Sequence, residues 1–173
     1  MGSVGTVADH VSAFVRTPSR QSRDRRCGPE VPAAETGTAS DFVSRPTHVR
    51  GFDAAFAAEE AHVSRARRLT GAHLRQWHVS DQLAEDIVLA VSELVTNAVS
   101  YGCGQVSLKV WCTTDELIVE VADGNPAMLA ELRCPAEDDV SGRGLFLVAA
   151  LATRWGVSDG GATTWCLFTT GSR

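Results

Sequence analysis

Residues 81–102 read DQLAEDIVLAVSELVTNAVSYG, and the spacing of their apolar side chains predicts one long amphipathic helix. Leu83, Ile87, Val91 (with Ala90), Leu94 and Ala98 recur at steps of three and four, which makes one buried stripe. Ser80 or Asp81 suits the N-cap, with Glu85 and Asp86 complementing the helix dipole in the first turn. Tyr101-Gly102 ends the run, glycine being a common residue just past a helix. Off the stripe, Glu93 and Asn97 lie four residues apart and so share one face. A carboxylate beside a carboxamide oxygen suits an oxygen-seeking cation such as Mg²⁺ and an adjacent base. Taken alone, such a pair is usually a solvated surface.

Downstream, the period of the pattern changes from helical to alternating. Val106, Leu108 and Val110 alternate with Ser107, Lys109 and Trp111, and Leu117, Val119 and Val121 with Ile118, Glu120 and Ala122. Thr113-Thr114-Asp115-Glu116 separates the two runs, so they read as an antiparallel hairpin. Asp123-Gly124-Asn125-Pro126 then forces a turn, and residues 127–143 are polar and irregular. GRGLFLVAALATRW (142–155) reads as a glycine-started apolar helix. Gly156–Asp159 and Thr163–Thr169 read as a second hairpin joined by Gly160-Gly161. Upstream, Thr47–Asp53 reads as a short strand and residues 54–77 as a helix, with Phe56, Val63, Leu69 (or Ala66) and Leu74 as its apolar face. Grouped helices with a mostly antiparallel sheet predict an α+β two-layer sandwich.

The chain has 173 residues, enough for one domain and an appendage. Its formal charge of −5 argues against direct nucleic acid binding, and it has no apolar run long enough to span a membrane. Residues 1–50 carry seven of the sixteen basic residues and five of the twenty-one acidic ones, whereas residues 51–173 carry nine against sixteen. Residues 17–41 are rich in Pro, Gly, Ser, Thr and charge with almost no large apolar groups, so residues 1–44 are predicted to form a mobile tail before a domain at 45–173. The five cysteines lack CxxC spacing and read as buried or half-buried thiols in a reducing cytoplasm. His62, His73 and His78 have no consistent metal-ligand spacing and read as surface residues.

Two further features carry chemistry. Asp123, at the end of an apolar strand, must have its oxygens satisfied, either by capping a turn or by accepting from the exocyclic amine of a bound base. Gly142-Arg143-Gly144 opens a helix, where bare backbone N–H groups and the positive helix end favour an anion. Each is a weak signal alone; their order along the chain is more specific. Glu-x-x-x-Asn on a helix, a hairpin, Asp-Gly, a polar lid, GRGL and a late GGATTW strand together resemble the gyrase, heat-shock chaperone, histidine kinase and MutL (GHKL) ATPase superfamily. Within it, ARRL, VSELVTNAV, VEVADGNPA, GRGLFLVAALATRWGV and GGATTWCLF resemble the small anti-sigma-factor serine kinases of actinobacteria, from about residue 47 to residue 170.

That resemblance implies ATP and Mg²⁺ as cofactors. It implies Glu93 as general base, Asn97 as the Mg²⁺ ligand, and Asp123, followed by Gly124, as the partner of the adenine amine. It places Gly142 and Gly144, with Arg143 and Leu145 of the same motif, beside the phosphates at the hinge of the lid, and Thr163 near the adenine. It implies as partners a sigma factor and an anti-sigma-factor antagonist, the latter the phosphate acceptor, and it allows a homodimer. One departure stands out. The superfamily's Asp-x-Gly-x-Gly loop here reads Asp123-Gly124-Asn125-Pro126-Ala127, and Pro126 stiffens a loop that elsewhere flexes. The Glu93/Asn97 pair points to a kinase. The altered loop points to a module that sequesters a partner without transferring phosphate.

Overall fold

The computed structural model describes residues 32–39, 49–102, 104–124 and 143–171. Its elements in chain order are β1 (Glu35–Thr36), β2 (Arg50–Ala57), α1 (Ala61–Gln76), α2 (Asp81–Tyr101), β3 (Gln105–Cys112), β4 (Glu116–Ala122), α3 (Arg143–Leu151), β5 (Arg154–Ser158) and β6 (Thr163–Thr169). The six strands form one sheet in the order β1-β5-β6-β4-β3-β2. Every pairing is antiparallel except β1 with β5, which is parallel. Helices α2 and α3 pack together and onto strands β3, β4 and β5, with α1 against α2. This is the expected α+β two-layer sandwich.

The core lies between helices and sheet. Val106, Leu108, Val110 and Cys112 of β3 and Leu117, Val119 and Val121 of β4 turn inward, as strand alternation requires. They meet Ile87, Val91, Leu94, Val95 and Ala98 of α2 and Val148 and Ala149 of α3. The opposite sheet face carries a smaller cluster of Ile118, Trp165, Leu167 and Ala39, with Trp111 against it.

Three boundaries differ from the sequence reading. Residues 54–57 continue β2 instead of opening a helix: Phe52, Ala54 and Phe56 point to the core at a period of two, and Ala57 pairs with Gln105. Local alanine propensity for helix, a weak preference, yields there to an eight-residue ladder with β3. Helix α3 ends at Leu151, and Arg154-Trp155 belong to β5, where the Trp155 ring is fully buried. The expected tail is corrected over residues 32–39, which dock on the sheet: β1 pairs with β5, and Ala39 is fully buried. Two indole N–H groups and an arginine hold this segment, contacts that apolar content does not reveal. The rest of residues 1–44 lies outside the described residues.

His73 is also less exposed than expected; its ring stacks on Phe52 at 4.2 Å and packs beside Trp77. Among the cysteines, Cys112 and Cys166 are buried free thiols, and burial raises the pKa of both. Cys27, Cys103 and Cys134 lie outside the described residues.

Candidate functional site

Glu93 and Asn97 project from one face of α2, half-buried, while Leu94, Val95 and Ala98 of the same turns are buried in the core. The stripe therefore fixes the helix's rotation and leaves the pair facing the start of α3. Gly144, in α3's first turn, lies directly across: a Cβ built there would stand 2.7 Å from Glu93 Oε2 and 3.5 Å from Asn97 Nδ2. Glycine keeps the first turn of α3 in contact with the pair without crowding it. Leu145 turns toward the core and anchors that turn, while Arg143 is exposed. Gly142 lies outside the described residues.

The end of β4 arrives from another direction. Asp123 donates its backbone N–H to the Ala162 carbonyl at 3.1 Å, which ties it to the β5–β6 turn. Its side chain leans on the end of α2: a Cβ at Gly102 would lie 2.7 Å from Asp123 Cβ and would also strike the Ala98 carbonyl. Gly102 has φ −77° and ψ 170°, a conformation open to any residue, so close packing is what requires glycine there. Sequence reasoning treated it only as a helix stop and missed this role. Gly124, with φ 70°, takes the left-handed turn that glycine accommodates. Glu93, Asn97, Asp123 and Gly144 thus converge on the C-terminal half of α2.

Thr163 is placed differently. Its hydroxyl donates to Asp159 Oδ2 at 2.9 Å, and it pairs with Ala122 on the sheet face away from the helices. Thr164, paired with Val121 on the helix face and half-buried, presents the hydroxyl on Asp123's side of the sheet. The alternation of Cys166 and Phe168 inward with Trp165 and Leu167 outward carries that signal. A cleft of about 670 Å³ opens at the opposite end of the sheet, lined in part by Arg50, His78, Ser80, Cys112 and Thr170; no motif residue lines it.

A model of the histidine kinase-like ATPase domain family matches residues 56–168, from the end of β2 into β6. The chain belongs to that family. No curated protein matches closely enough to lend it a narrower likeness. As a histidine kinase-like ATPase domain it is built for ATP, with chemistry of the ATPase or kinase type in general. The residues suit that ligand's counter-cation: a carboxylate and a carboxamide lie together where the missing Cβ of Gly144 leaves them room. No described helix is long and apolar enough to cross a membrane. Nor do the described residues hold a His, Cys, Asp and Glu cluster suited to a resident metal.

Proposed function

We propose that this ATPase-family domain is a cytoplasmic protein serine/threonine kinase that phosphorylates an anti-sigma-factor antagonist and also binds a sigma factor. The observation that carries this reading is the placement of Gly144, in the first turn of α3, against both Glu93 and Asn97, which puts a base and a cation ligand beside the start of a helix. Mg²⁺ bound with ATP supplies neutralisation of phosphate charge, and Asn97's amide oxygen is the side-chain ligand offered to it. Glu93 accepts the proton of the attacking hydroxyl. Asp123, braced by Gly102 and Ala162, accepts from the adenine amine, with the Thr164 hydroxyl on the same side. Positioning and charge neutralisation then make up most of the catalysis. Among the described residues β2 is the outer strand of the sheet, exposed at Arg50, Gly51, Asp53, Ala55 and Ala57, and is the edge where a second copy would pair to form a homodimer.

The test is Glu93→Gln, assayed for phosphate transfer from labelled ATP to a candidate antagonist beside capture of the sigma factor. ATP binding and sigma-factor capture should persist while transfer falls by roughly 10²–10⁴-fold, the usual contribution of a positioned base. Equal transfer by variant and wild type would remove Glu93 from the mechanism.

A second reading rests on the loop Asp123-Gly124-Asn125-Pro126-Ala127, where two glycine positions of the superfamily pattern are Asn125 and Ala127. It is a fold-competent module that sequesters its partner without phosphoryl transfer. Capture of the sigma factor with no wild-type transfer to any antagonist selects it.

A further inference from the structure

The segment Pro32–Ala39 lies outside the stretch matched by the ATPase family, yet β5 and β6 receive it with specific chemistry. The Trp155 indole N–H donates to the Pro32 carbonyl at 2.8 Å and the Trp165 indole N–H to the Gly37 carbonyl at 2.7 Å. Trp155 belongs to the helix-side core and Trp165 to the cluster on the other sheet face, so the two indoles reach the segment from opposite faces. Between them, Arg154 grips Glu35 through two N–H groups, with Nε at 2.8 Å from Oε1, the fork geometry suited to a carboxylate. Glu35 and Thr36 align with Gly156 and Val157, and the Gly37 N–H donates to the Val157 carbonyl at 3.3 Å. Gly156 makes room for the crossing backbone: a Cβ there would strike the Glu35 carbonyl and stand 2.7 Å from the Trp165 ring.

These are the parts of an extended-peptide receptor: a strand edge for main-chain pairing, two indoles reading carbonyls five residues apart, and a guanidinium for one acidic side chain. The ladder to its present occupant is only two residues long, and the Arg154–Glu35 pair is partly open to solvent.

We propose that the outer edge of β5 is a docking groove for an extended partner segment bearing one carboxylate, and that Pro32–Ala39 is its tethered, displaceable occupant. Tethering gives the chain's own segment a high effective concentration. A second copy offering the identical segment has no advantage over it. A displacing partner needs a longer ladder along β5 while keeping a carboxylate for Arg154. The segment thus acts as an autoinhibitory plug on a surface separate from Glu93 and Asn97.

The test uses the full-length chain and a fluorescent peptide, VPAAETGTAS, copied from residues 31–40. In Glu35→Arg, the plug loses its ion pair and meets repulsion from Arg154, so the peptide should bind at least tenfold more tightly than to wild type. Adding Arg154→Glu to that variant re-pairs the plug with reversed charges and should abolish the gain. Equal peptide binding by wild type and Glu35→Arg, or a gain that survives Arg154→Glu, overturns the proposal. So does conversion of Glu35→Arg into a segment-exchanged dimer, which would make a second copy the occupant. Wild type supplies a readout independent of whether the variants fold. The indole protons of Trp155 and Trp165 should exchange with solvent at least a hundredfold faster than the Val119 amide in central β4. Exchange as slow as Val119 would mean that the segment is a fixed part of the fold and not a plug.

Discussion

Gly144 faces Glu93 so closely that a single added methyl group would stand 2.7 Å from the carboxylate oxygen. The two residues are far apart in sequence and lie on different helices, and the absence of a side chain on one sets the room available to the other. Gly144→Ala separates that role from folding. The position is helical, where alanine is favoured over glycine by about 0.5–1 kcal/mol, and the atom it meets is the movable end of a side chain. Thermal stability should hold or rise slightly, while ATP affinity falls by roughly tenfold or more, about 1.4 kcal/mol. Calorimetric titration beside thermal unfolding measures both. Unchanged affinity would disconnect Gly144 from the nucleotide.

Gly102→Ala should behave in the opposite way. Its added methyl meets the Ala98 carbonyl and Asp123 Cβ, and the backbone atom cannot swing aside. A loss of about 1–3 kcal/mol is expected, the usual cost of overpacking, read from the urea midpoint. ATP binding should weaken as well, since relief of the clash pushes Asp123 away from α2.

Asp123→Asn should weaken ATP more than GTP, because only adenine offers an amine at the recognised edge. Equal losses for both nucleotides, measured by competition, would indicate general damage to the loop that Gly124 begins.

Glu120 supplies a pH-dependent prediction. It sits half-buried on the sheet face away from the helices, and burial raises its carboxyl pKa; Asp159 adds to the rise and Lys109, its cross-strand partner, opposes it. A folded-state value above the unfolded one means that the fold holds this proton more tightly, so stability falls as pH rises through the two values. Glu120→Gln should therefore raise Tm at pH 7 by about 1–4 °C. The difference should disappear below about pH 4, where unfolded glutamate is itself protonated. A variant less stable than wild type at pH 7 would show that the pairing with Lys109 outweighs burial.

Glu35 titrates in the other direction. Its hydrogen bonds from Arg154 hold its pKa below the ordinary glutamate value, so what the pair contributes is present at neutral pH and is lost as pH falls through that lowered value. Acid should thus release Pro32–Ala39 before the domain unfolds. Signals from Trp155 and Trp165 should shift at a higher pH than the far-ultraviolet dichroism of the helices.

Much of the architecture was legible in the sequence because the signals are local. The stripe of α2 and the alternation of β3 and β4 record which side chains face the core, and each period maps to one backbone geometry. Glu93 and Asn97 could be placed on one face from spacing alone, and the GRGL motif marked the start of α3. Ambiguity entered where local preference and pairing disagreed. The alanine-rich run at 54–58 suits a helix in isolation, and only the neighbouring β3 makes Ala54–Ala57 a strand.

By itself, then, the sequence determined the amphipathic elements, the two hairpins and the positions of the motif residues along them. Tertiary structure decided what those residues face. It set Gly144 against Glu93, made Gly102 a bearing surface for Asp123, turned Thr164 toward the helices and Thr163 away, and drew Pro32–Ala39 onto β5. The physical reason is that such contacts join groups distant along the chain. A glycine's missing Cβ, an indole N–H or a guanidinium fork leaves no periodic trace in sequence, and its role appears only when folding brings its partner within bonding distance.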